Sequence, residues 1–126
     1  AAPTGEQLLI TLATRDRIRA SLVRQLESLD AVLMPVASIA AFRHRERQWE
    51  LPSEPGSKPI GLFQAMMPAV VANVLGLPAV TIPMAVSSAG LPLGVQLMGR
   101  PFADERLLDA AVRLEEARGP WQGLDR

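Results

Sequence analysis

The chain has no cysteine, one histidine, one lysine and no excess of charge of either sign. Each scarcity removes a class of function. Without cysteine there is no disulfide framework and no thiolate nucleophile or metal ligand. A cysteine-free chain fits a reducing compartment, and a cytoplasmic location is the expectation. Thirteen basic residues against thirteen acidic ones leave a formal net charge of zero, so nothing marks a nucleic-acid or anionic-membrane surface. Twelve of the thirteen bases are arginine, and Lys58 is the lone amine. No apolar run approaches the ~20 residues of a membrane-spanning helix. The opening residues lack the basic-then-apolar pattern of a secretory signal. The first residue is Ala1 and the chain opens directly onto a helical pattern, which reads as a processed or excised piece. There is no internal repeat and no low-complexity tract.

What remains is a chain of 126 residues, 48% hydrophobic, long enough for one domain that buries about two thirds of its unfolded surface. Its organising stretch is Asn73 to Pro83, Asn-Val-Leu-Gly-Leu-Pro-Ala-Val-Thr-Ile-Pro. Gly76 suits the C′ position that ends a helix with positive φ. Pro78 cannot continue a helix and forces Leu77 toward an extended conformation. Val80 and Ile82 then suit a strand, and Pro83 limits how far its ladder continues.

Upstream, Thr4 and Gln7 have capping-box spacing. A helix is expected to run from there to about Leu29, closed by Asp30, with Leu8, Leu12, Leu22, Leu26 and Leu29 on its apolar side. Ala31 to Met34 is a short apolar run ending at Pro35, read as a strand buried on both faces as in a parallel sheet. Residues 36–59 break the pattern: Pro52, Pro55, Gly56 and Pro59 mark an irregular loop. Ile60 to Leu75 is apolar nearly all round, so a helix there is expected to be buried, with Pro68 either starting or kinking it. Ala79–Val86 and Leu91–Met98 flank Ser87-Ser88-Ala89-Gly90, a hairpin signal. On the second strand Leu93, Val95 and Leu97 share one face, and Gly94, Gln96 and Met98 the other. Asp104 is the expected cap of a last helix that Gly119-Pro120 stops. A strand at Ala31 adjacent to one at Ala79 would run parallel to it through a right-handed crossover. The expected fold is therefore α/β, a single domain over residues 1–126 with a mixed sheet covered by helices.

Catalytic chemistry is hard to find. None of the seven serines lies in a nucleophile elbow or a glycine-flanked serine pair, and Ser87-Ser88 reads as turn chemistry. Ser57-Lys58 can be drawn as a serine–lysine couple, but neighbouring loop residues usually point apart. His44 sits in the charge run Arg43 to Arg47; it is either solvated or a metal ligand whose partners no other cluster supplies. That run could also contact an anion or RNA, although Glu46 and the neutral net charge count against it. Glu115 and Glu116 are adjacent on a helix and diverge. One surface stands out: Phe63, Met66 and Val70 fall at i, i+3 and i+7, either ordinary core or the apolar wall of a ligand pocket.

Three stretches in order, Asn73 to Pro83, Gly90-Leu-Pro-Leu-Gly-Val-Gln-Leu-Met-Gly-Arg-Pro-Phe102 and Asp104-Glu105-x-Leu107-Leu108, resemble the C-terminal end of the amidase signature family. Asp30-Ala-Val-Leu-Met-Pro35 is similar to that family's "DxLLxPT" strand, with Val36 where threonine often stands. Glu115 to Trp121 matches its closing "E…G.W". The resemblance covers most of the chain and leaves residues 41–59 unmatched. It implies a C-terminal part of the amidase signature fold. Members cleave carboxamides to acid and ammonia, or pass the ammonia on, as in the glutamine-hydrolysing subunit of tRNA amidotransferases. They use a serine nucleophile, a second serine in a cis peptide and a lysine base, with no metal or cofactor. Those elements belong to a signature region upstream of the part matched here, and Lys58 does not match the family lysine. No catalytic residue is carried across, and the chain alone is expected to be inactive. The helix before the Asn-x-x-Gly-Leu-Pro segment partly lines the family's substrate channel, which implies substrate-binding roles for Phe63, Met66 and Val70. The implied ligand of a full-length parent is a small-molecule amide. Strands cut from a larger sheet would leave bare edges and faces, so self-association or pairing with a missing catalytic part is expected. A non-catalytic interaction or oligomerisation module is the alternative.

Overall fold

The computed structural model describes residues 2–42 and 58–121. The elements run in the order α1 (Gly5–Leu26), β1 (Val32–Pro35), α2 (Leu62–Leu75), β2 (Ala79–Val86), β3 (Pro92–Met98) and α3 (Asp104–Arg118). Residues 36–42 carry no regular element; the remainder of the expected loop, with His44 and the arginine run, lies outside the described residues.

Local chemistry sets the element ends. The Thr4 hydroxyl accepts from the Gln7 N–H at 3.2 Å, and the Gln7 side chain accepts from the Thr4 N–H at 2.9 Å. This is a complete capping box, satisfying two donors that the first turn would otherwise leave open. At the other end α1 stops at Leu26, three residues short of the expected Leu29. Glu27 is the cap, and Leu29 donates back to the Leu26 carbonyl at 3.1 Å in a turn that aims the chain into β1. Gly76 ends α2 with φ 59° and ψ 47°. The Leu77 N–H reaches back to the Ala72 carbonyl at 3.0 Å, the closure expected of a left-handed C-terminal glycine. In the hairpin, Gly90 takes φ 76°, Gly90 donates to the Ser87 carbonyl at 2.9 Å, and the Ser87 hydroxyl accepts from the Leu91 N–H at 3.1 Å.

The three strands form one sheet in the order β1-β3-β2. Both pairings are antiparallel: Val32 faces Met98 and Pro35 faces Val95 on one side of β3, while Ala79 faces Met98 and Ile82 faces Val95 on the other. The α/β class holds, but the mixed pairing expected from sequence is replaced, among the described residues, by antiparallel pairing. β1 and β2 do run in the same direction. The hairpin strand β3 lies between them, so the helical crossover joins strands that never touch. β1 correspondingly is an outer strand with Leu33 54% exposed, and it is not buried on both faces.

The alternation along β3 sorts the core into two halves. Val95 and Leu97 face α3, where Ile82, Leu107 and Ala111 complete a cluster. Met98 faces the opposite side, packed with Leu26 of α1 and with Ala72, Leu75 and Leu77 at the end of α2. The buried Gln96 on that side donates to the Pro68 carbonyl at 3.5 Å. Gly99 follows β3 and passes under α3: a Cβ there would lie 3.2 Å from Leu107 Cδ1. The last helix begins at Asp104, its expected cap, so the cap itself falls one residue earlier. Ala103 occupies the cap without a side-chain bond, because Ala103 N–H closes a turn onto the Arg100 carbonyl at 3.2 Å and moves Asp104 into the first helical turn, where an acid still favours the dipole. At the far end the Arg118 guanidinium bonds the Pro83 carbonyl of β2 and lies 5.5 Å from the Trp121 ring centroid.

Candidate functional site

Pro35 ends β1 because it has no N–H to extend the ladder. The chain then crosses toward α2, where the Ser38 N–H donates to the Ala65 carbonyl at 2.8 Å. That crossing needs room above the sheet, and Gly94 supplies it. A Cβ on Gly94 would sit 3.3 Å from the Ile82 carbonyl oxygen and 3.4 Å from both Thr81 Cγ2 and Val36 Cγ2. The missing side chain thus lets the post-β1 segment lie close to the strand surface.

The result is an open apolar groove of about 650 Å³, lined by residues 35–41 and 92–94 with Thr81 and Pro83. This is within the size range of small-molecule sites. Among the described residues its side chains are aliphatic or proline except for the hydroxyls of Ser38 and Thr81, and no charged one lines it. Such a wall can hold the hydrocarbon part of a ligand and offer one or two hydrogen bonds. Among the described residues it contains no acid–base pair and no cation that could activate a hydroxyl.

A second cleft, about 480 Å³, lies where α1 meets the end of α2. It is polar, but its groups are engaged in holding the fold. Arg19 Nε donates to the Leu75 carbonyl at 2.9 Å, placing a cation on the C-terminal carbonyls of α2, and Arg15 pairs with Asp16 at 2.7 Å.

Phe63, Met66 and Val70 share one face of α2, as their spacing requires, yet none of them lines either cleft. Phe63 is 72% exposed and Met66 37%, while Val70 is half-buried. The all-round burial expected of this helix is not found: only Ala65, Ala72 and Leu75 are buried, because the described elements cover one side of it. Pro68 lies inside the helix rather than at its start. Lys58 is exposed and does not line the groove; Ser57 lies outside the described residues. Ser87 serves the hairpin turn, and Glu115 pairs with Arg118 at 3.9 Å. Among the described residues no three His, Cys, Asp or Glu side chains cluster, and no helix is long and apolar enough to cross a membrane.

Sequence reading missed the groove. Its one local signal was a proline ending β1 together with a glycine in the middle of β3, which marks a close approach only once the two strands are known to be neighbours. It also missed the bond from Arg106 to Asp30, which joins α3 to the turn before β1. The Arg106 guanidinium holds the Asp30 carboxyl below the usual carboxylate range, first by that hydrogen bond and then by its charge.

Comparison with known proteins gives a consistent result. A family model described as Amidase matches residues 2–108. The A subunit of the glutamyl-tRNA(Gln) amidotransferase of Geobacter metallireducens is 36% identical over 103 residues, covering 82% of this chain and 20% of its own length. Its counterpart from Nitrobacter hamburgensis is 38% identical over 91 residues, covering 72% of this chain and 17% of its own. Among solved structures, a crystal structure of an amidase superposes with a TM-score of 0.78 at 27% identity, over 93% of this chain and 26% of that one. The corresponding amidotransferase polypeptide of Thermotoga maritima gives 0.68 at 26% identity, over 94% and 26%. The chain spans about a fifth of the length of the curated relatives it matches.

Proposed function

The chain belongs to the amidase family, and we propose that it forms the C-terminal part of an amidase whose catalytic residues lie upstream of it. The reaction is hydrolysis of a carboxamide C–N bond to acid and ammonia, carried out by a serine, a cis-serine and a lysine of that upstream part. The observation that carries this reading is the family match over residues 2–108, combined with a groove that, among the described residues, holds hydroxyls but no base or acid to activate them. In the assembled enzyme the three strands extend the sheet. The exposed α2 face of Phe63, Met66 and Val70 forms an apolar wall for the acyl part of a small-molecule amide.

Part of an amidotransferase is a second reading, favoured by the names of the curated relatives; there the amide would be glutamine and the ammonia would be passed on. Both readings expect the 126-residue chain to be inactive by itself. Incubated with aliphatic amides, aryl amides and glutamine, the pure chain should release no ammonia above the buffer blank. Ammonia release that disappears on replacing one of its serines by alanine would refute the proposal.

A further inference from the structure

We draw no further inference here: the strongest candidate, the open apolar groove between the segment 35–41 and Gly94 of β3, carries none because nothing in the structure shows what covers it.

Discussion

Gly76 offers a clean measurement of backbone conformation in this fold. It holds φ 59° and ψ 47° at the end of α2, and no atom lies within 4 Å of where its Cβ would be. Replacing it with alanine therefore introduces no clash. The left-handed conformation costs an L-residue about 1–2 kcal/mol. Part of that is offset because alanine has less freedom than glycine to lose on folding, worth about 0.4–1 kcal/mol. The net expectation is a loss of about 1 kcal/mol, or roughly 3–6 °C in Tm for a domain of this size. Gly76→Asn should cost less than Gly76→Ala, because asparagine tolerates this region. Urea denaturation followed by circular dichroism, at protein concentrations low enough to be reversible, gives both values. If alanine proves as stable as glycine, or asparagine worse than alanine, the closure of α2 does not depend on the left-handed turn and the reasoning fails.

Gly99→Ala tests crowding rather than conformation. Its Cβ would meet Leu107 Cδ1 at 3.2 Å and Leu107 Cβ at 3.4 Å, so the Leu107 side chain must give by a few tenths of an ångström against its packed neighbours, at a cost of about 1 kcal/mol; a denaturation midpoint unchanged from the native chain would contradict the packing described. Leu26→Ala empties the centre of one core half, where Leu26 has no exposure, and should cost about 3 kcal/mol or more in the same assay. The Asp30–Arg106 tie predicts a pH dependence. The folded carboxyl titrates below its unfolded value of about 3.9, so its contribution is present above that pH and is lost as pH falls through the lower folded value. Stability profiles of the native chain and Arg106→Ala should therefore converge in acid and separate above about pH 4; parallel profiles would show that the contact contributes nothing.

The sequence by itself determined what is local. Thr4 with Gln7, Gly76 with Pro78, and Ser87 with Gly90 each specify a cap or turn through bonds spanning three to five residues, and no distant group is needed to read them. The alternation of Val95 and Leu97 against Gln96 and Met98 followed from the two-residue period of a strand. Only the tertiary structure decided that β3 lies between β1 and β2, because either outer strand has the apolar content to pair with it. The groove beside Gly94 and the bare face of α2 were equally beyond local reading. Each depends on which distant element covers an apolar surface and which leaves it open, and a residue's burial is a property of its neighbours in space rather than in the chain.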